Sequence, residues 1–327
     1  MDPICHTLVG AALGCTGLER RTRYGRATLI IAANLPDIDV VAHSMGGAAS
    51  YAFRRGVTHG IPALIILPVL LALLMIGWSR MWPGRGSGPP VSFRWLLILS
   101  IVGVLTHPTL DWMNTYGMRW LMPIADVWFY GGTLFIIDWV AWLVLLAGLI
   151  GTRFVVRDRI RWFQRPASVA LAVLVAYIAM NYVITQQAEA ATLRALADDP
   201  PARLLASPVP LDPFRREVVL EYDDEYRFGT FRLFGGGYTD DDLAVARGDP
   251  STLERARTTT DGRWFLHWAR FPYSMSYVAD GRERIVIADA RYIRDVNNPR
   301  IDGFAMLELE LFLTGARAAG GGDSQSP

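Results

Sequence analysis

Apolar and polar positions divide this chain into two unlike halves. Four apolar stretches, near 60–79, 94–110, 133–151 and 167–184, are each long enough to suggest a membrane span. A helix rises about 1.5 Å per residue and a hydrocarbon core is about 30 Å thick, so roughly 20 residues cross it. Two shorter apolar stretches, 4–18 and 27–41, precede them and are marginal as spans. The expectation is a multi-pass α-helical membrane domain of about four to six apolar helices over 1–185.

After residue 186 the pattern changes. A helix is predicted at 188–196, then a Pro-rich link at 200–213, then strand-like runs at 217–222, 227–234, 264–271, 284–288 and 304–313. Val, Ile, Tyr and Phe with partial alternation predict an antiparallel sheet of about five strands. Residues 186–313 therefore read as a small α+β, mainly antiparallel β, soluble domain, and the Gly- and Ser-rich 314–327 as a disordered tail.

Charge adds an orientation. Every basic residue is Arg, and net charge is +1, which gives no footprint for a nucleic-acid partner. With six crossings, twelve Arg fall in three loops on one side: Arg20, Arg21, Arg23 and Arg26, then Arg80, Arg85 and Arg94, then Arg153, Arg157, Arg159, Arg161 and Arg165. The other two short loops hold Arg54, Arg55 and Arg119. Short-loop Arg marks the cytoplasmic side, which puts both termini and the β-rich domain outside the cytoplasm. The first residues lack the basic region of a secretory signal. Cys5 and Cys15 read as small buried thiols, not a disulfide framework.

Candidate chemistry gathers at the ends opposite the Arg loops. His6 opens the first apolar stretch, Asp37 and Asp39 close the second around Pro36, and His59 opens the third. His107 and Asp111 close the fourth, and Asp138 stands near the start of the fifth. His107 and Asp111 are four apart, hence on one helix face. Imidazole with carboxylate suits Zn²⁺, with Mn²⁺ as second choice. Ionisable groups at membrane depth cost about 2.5–3.5 kcal/mol each on insertion scales, so several together call for a compensating cation. Such a cation implies a hydrolase. Against this, any single His could be interfacial, Asp37 could cap a turn, and His107 with Asp111 could be a structural pair. His43 is left outside the site, and His267 reads as structural. Trp112, Trp120, Trp128 and Tyr130 fit an interfacial aromatic belt.

The order His6-Thr7-x-x-Gly10, Leu35-Pro36-Asp37-Ile38-Asp39, Arg55-Gly56-Val57-Thr58-His59 and His107-Pro108-Thr109-Leu110-Asp111-Trp112-Met113-Asn114-Thr115-Tyr116-Gly117 resembles the YdjM-type family of bacterial inner-membrane metal-dependent hydrolases. The run from Pro123 to Trp128 and the segment from Leu134 to Asp138 extend the likeness, which covers roughly 1–185. The resemblance implies a multi-pass inner-membrane hydrolase, with distant similarity to zinc-dependent phospholipase C and hence a phosphoester substrate such as a phospholipid. Three positions depart from the pattern: Arg54 where a His is usual, Gly132 where an acid is common, and Trp139 in place of Pro. On this basis His6, Asp37, His59, His107 and Asp111 are the expected metal ligands. Asp39 and Asp138 complete the metal set or support it, with Asp39 alternatively a base toward water. Arg54 and Arg55 are expected to hold an anionic group. A non-catalytic scaffold or stress-response protein with a structural metal, and a transporter with an intramembrane ion path, stand as other readings.

Overall fold

The computed structural model describes residues 1–45, 47–82, 89–154, 163, 165–279, 282–292 and 308–312. The expected tail 314–327 lies outside them, as do Arg85, Arg157, Arg159 and Arg161 and much of the run 304–313.

Among the described residues, seven α-helices build the N-terminal part: α1 (Pro3–Cys15), α2 (Gly25–Ala32), α3 (Gly47–Phe53), α4 (Ile61–Met81), α5 (Phe93–Trp112), α6 (Trp139–Phe154) and α7 (Pro166–Ala195). Helices α4, α5 and α7 are long and apolar enough to cross a membrane, while α1 and α6 are shorter apolar helices. At 21 residues, α4 extends about 31 Å, matching the hydrocarbon thickness. Ile65, Ile66, Leu70, Leu73 and Leu74 on it are exposed. A water-soluble fold would not leave such a continuous apolar face open, whereas lipid covers it.

The stretch 27–41 is not one helix. Helix α2 ends at Ala32, and Leu35–Met45 follows as a 3-10 segment. Pro36 lacks the N–H that an α-helix would use, which breaks the run just before Asp37. The residues expected to form a separate helix at 188–196 instead continue α7, which is 30 residues long and leaves the bundle without a break.

The pair α1–α2 wedges between two hairpins, with α2 against α5 and α1 against α6 and α7. Gly103 makes a close crossing of α5 on α2 possible, because a Cβ there would stand 2.5 Å from the Ala32 Cβ. At the Arg-rich end, the Ser92 N–H donates to Thr22 Oγ1 (2.9 Å) and the Tyr24 hydroxyl to the Trp82 carbonyl (2.6 Å).

Two antiparallel sheets form the second half. The first runs β1 (Arg203–Pro208), β2 (Arg215–Glu221), β3 (Glu225–Arg232), β4 (Gly237–Ala246) in that spatial order; the second runs β5 (Pro272–Ala279), β6 (Arg282–Asp289), β7 (Glu308–Phe312). Helices α8 (Pro250–Arg257) and α9 (Thr260–Trp268) lie between them in the chain. Strand β1 occupies what the Pro content marked as a link. Strands β4 and β5 and helix α8 were not expected either.

The predicted strand at 264–271 is mostly α9. Thr259 accepts the Gly262 N–H as an N-cap, and Phe265, Leu266 and Trp268 are buried on one helical stripe. Both faces of β1, β2 and β3 are covered, which blurs their alternation, while β4 is largely exposed. Ala206, Val218, Leu220 and Phe231 pack on Ile184 and Ala188 of α7, while Leu205, Val219, Tyr226 and Phe228 pack on α9 and the second sheet. Buried Arg216 locks β2 to α7 through Thr185 Oγ1 (3.0 Å) and Asn181 Oδ1 (2.7 Å).

Candidate metal centre

Three segments far apart in sequence converge near one end of the bundle. The last turn of α5 carries His107 and Asp111, the 3-10 segment carries Asp37 and Asp39, and the turn before α4 carries His59. His107 follows Phe93 by fourteen residues, about 21 Å along α5 from the Arg-rich end.

Asp37, His59, His107 and Asp111 each offer one ligand atom, all within 4.8 Å of one another. His59 Nε2 and His107 Nε2 stand 3.2 Å apart. Asp111 Oδ2 lies 3.5 and 3.6 Å from them, and Asp37 Oδ1 3.9 and 3.7 Å. In a tetrahedral zinc site with bonds near 2.0–2.1 Å, ligand atoms are about 3.3–3.4 Å apart. These spacings are close to that figure, so a small contraction would complete the shell.

Protonation points the same way. His107 Nδ1 lies 2.7 Å from the Ala33 carbonyl, which can only accept, so Nδ1 carries a hydrogen and, in the neutral ring, Nε2 is the free acceptor. His59 Nδ1 faces Thr58 Oγ1 at 3.0 Å and Asp39 Oδ2 at 3.3 Å, while Thr58 donates to Asp39. A histidine backed by a carboxylate or carbonyl is the usual support of a metal ligand. Asp111 Oδ2 has no hydrogen-bond partner; Arg55 Nε is 2.9 Å away but misaligned. Buried acceptors turned toward one point can hold a cation between them. The donor set of two imidazoles and two carboxylates fits zinc or manganese.

Asp39 supports the site from behind. Its carboxylate also accepts from Arg54 Nη1 (2.8 Å) and from the Arg55 N–H (2.7 Å). Burial would raise its carboxyl, but hydrogen bonds and charge from His59, with Arg54 and the Arg55 N–H, hold it below the usual range. With both oxygens engaged, Asp39 suits orientation of His59 and not the alternative role of base. Arg55 differs from expectation as well. It is buried, donates to Asn114 Oδ1 and the Gly117 carbonyl (both 3.0 Å), reaches Asp111, and stacks on Tyr116 at 4.7 Å. Those contacts make it an internal brace of Asp111, not a holder of an external anion. Arg54 bridges Asp37 and Asp39 at the more open edge, where its side chain is 18% and that of Asp37 15% exposed.

His6 borders the cluster: its ring stacks on His107 at 3.8 Å and its Nε2 is 3.3 Å from Asp111 Oδ1, a carboxylate also met by the Met1 amino group. Asp138 is not brought in. Its Oδ1 accepts the Ala141 N–H at the start of α6 and its Oδ2 the Tyr177 hydroxyl (3.0 Å). Thr58, Asn114 and the Ala33 carbonyl are supports that the sequence reading did not single out. Thr58 adjoins His59 and Asn114 follows Asp111 by three, so proximity to ligands was the available signal.

The β-rich half holds the loop below the site. Trp268 Nε1 donates to the Tyr116 carbonyl (3.0 Å), Arg291 Nη1 to the Thr115 carbonyl (2.8 Å) and Tyr130 to the Trp268 carbonyl (2.7 Å). Asp126 bonds Arg119 Nη1 (3.0 Å) and faces His267 Nε2 (3.1 Å). Trp128 and Tyr130 thus pack between the two halves: Trp128 lies beneath the Arg119 guanidinium and edge-on to Tyr116. That is a protein interface and not the expected aromatic belt.

Over 136 residues the chain is 25% identical to the uncharacterized protein YfhP of Bacillus subtilis (strain 168), a stretch covering 39% of each protein. The chain thus matches about two fifths of the length of that curated relative. No solved structure matches it. Residues 1–188 match the YdjM inner membrane protein family, and with three helices able to cross a bilayer, the chain is a membrane protein belonging to that family.

Proposed function

We propose that this protein is a membrane-embedded hydrolase that uses a divalent metal, zinc first and manganese second, to cleave a phosphoester, with a membrane phospholipid as substrate. The observation that carries the reading is the pair of Nε2 atoms of His59 and His107, 3.2 Å apart and flanked by Asp111 and Asp37. A divalent cation held there would supply Lewis acidity toward a phosphoryl oxygen and toward water. His59, His107 and Asp111 hold it, and Asp39 fixes the His59 ring. Asp37, on the open edge, either completes the ligand set or accepts the proton of an attacking water. Arg54 beside it pairs with the anionic phosphate. In this reading the Arg loops face the cytoplasm, and the site with the β-rich domain lies on the extracytoplasmic side of the inner membrane, in a multi-pass arrangement.

A second reading, a structural metal in a non-catalytic scaffold, is favoured by the number of protein donors. Four donors close a tetrahedral shell, and three of the four residues are fully buried.

Elemental analysis of the detergent-purified protein beside a His107→Ala, Asp111→Asn double variant tests both readings. Near-stoichiometric metal lost in a folded variant, followed by release of phosphate-containing headgroup from phospholipid micelles, supports the hydrolase. Metal without hydrolysis of any phospholipid class leaves the scaffold. No metal in either folded preparation removes both.

A further inference from the structure

The end of the bundle away from the metal cluster carries a second concave site. A cavity of about 610 Å³ is lined by Thr16, Gly17, Leu18, Arg20, Arg21 and Arg165. That size lies within the roughly 300–1,000 Å³ common for small-ligand sites. Cys15 follows His6 by nine positions along α1, about 14 Å of helix, so the two sites are distinct.

Among the described residues, the lining contains three guanidinium groups and no carboxylate. Glu19, the nearest acid in sequence, turns toward Arg26 (3.9 Å). Arg20 and Arg21 are exposed, and the Arg21 guanidinium lies over the Trp95 ring at 5.1 Å. Arg165 Nη1 donates to the Thr16 carbonyl (2.6 Å), while its Nε is buried without a hydrogen-bond partner. Gly17 makes room for that group: its φ is 114°, and a Cβ would stand 2.3 Å from Arg165 Nη1. A buried Arg165 Nε without a hydrogen-bond partner, beside the exposed side chains of Arg20 and Arg21, suits an oxyanion.

The setting selects the anion. The cavity sits where α1 ends and α5 and α7 begin, the level at which α4 also ends. Phe93 and Val169 on the starting turns of α5 and α7 are exposed, so apolar surface adjoins the basic lining. Basic pockets between membrane helices are suited to lipid phosphate, and Trp at that level belongs to the interface. We infer that this cavity binds the phosphate of an anionic membrane lipid, with Arg20, Arg21 and Arg165 as donors and Gly17 as the residue that admits Arg165. It would tie the α1–α2 wedge to the first turn of α7 through one headgroup.

The test is native mass spectrometry of the full chain in detergent after exposure to phosphatidylglycerol, phosphatidylcholine or inorganic phosphate. Phosphatidylglycerol should be retained in preference to phosphatidylcholine and should survive millimolar phosphate. An Arg20→Gln, Arg21→Gln double variant should retain about tenfold less of it with unchanged metal content. Arg165→Gln should do likewise, and the double variant decides if that protein fails to fold. Equal retention of both lipids, or undiminished retention in the folded double variant, overturns the site. Displacement of the lipid by inorganic phosphate overturns the lipid as its occupant.

Discussion

His59 and His107 turn their Nε2 atoms toward each other at 3.2 Å while their Nδ1 atoms are tied back, one to Thr58 and Asp39 and the other to the Ala33 carbonyl. Asp39 is the replaceable member of that support. Asp39→Asn keeps the shape but removes the charge behind His59. Zinc affinity, measured by competition with a chelator, should fall about 10- to 100-fold. Unchanged affinity would remove Asp39 from the site.

Helix crossing at Gly103 sets the position of α2, and through it the Ala33 carbonyl behind His107. Gly103→Val drives a branched side chain into Ala32 and the Leu29 carbonyl, 3.1 Å from the Cβ position. The expected loss is about 1–3 kcal/mol of stability, read by denaturant unfolding in detergent. Gly77, whose Cβ would meet nothing within 4 Å, is the control: Gly77→Ala should be neutral or slightly stabilising.

Arg291 and Asp289 form a buried pair, with Nη2 to Oδ2 at 2.8 Å, and Arg291 also holds the Thr115 carbonyl. Arg291→Ala leaves Asp289 buried with fewer donors and should cost about 3–5 kcal/mol. Asp289→Asn with Arg291→Met removes the stranded charge, so it should lose less than the single variant. Protease cleavage between the two halves would report the loosened loop.

Acid should weaken the same interface through Asp126. Partial burial would raise its carboxyl, but the hydrogen bond and charge of Arg119, with His267, lower it below the ordinary 3.8. A carboxylate depressed in the folded state contributes stability above its unfolded pKa, and that contribution disappears as pH falls through the folded value. Thermal melts should therefore show loss beginning near pH 4 and growing below it. Asp126→Asn should be less stable at neutral pH and should show a smaller acid decline.

Much of this protein was legible in its sequence because a bilayer imposes a simple rule. Backbone groups in hydrocarbon must be paired within a helix, so length and apolarity marked α4, α5 and α7 directly. The i, i+4 spacing of His107 and Asp111 was likewise local, and helix geometry alone places both on one face. The separation of Arg loops from His and Asp ends told which residues share a level.

Tertiary structure decided what depends on non-local contacts. Asp37 joins the cluster and Asp138 does not, because the break after α2 turns Asp37 inward while Asp138 serves the start of α6 and Tyr177. Arg54 and Arg55 are adjacent in sequence, yet one lies at the open edge and the other is buried against Asp111 and Tyr116. The run 264–271 holds Trp and Phe that suit a strand as well as a helix, and packing of Phe265 and Trp268 on Tyr51 chose the helix. Composition and periodicity determined the membrane helices and the residue types of the cluster; the choice among equivalent candidates came from long-range packing, whose energy no local window contains.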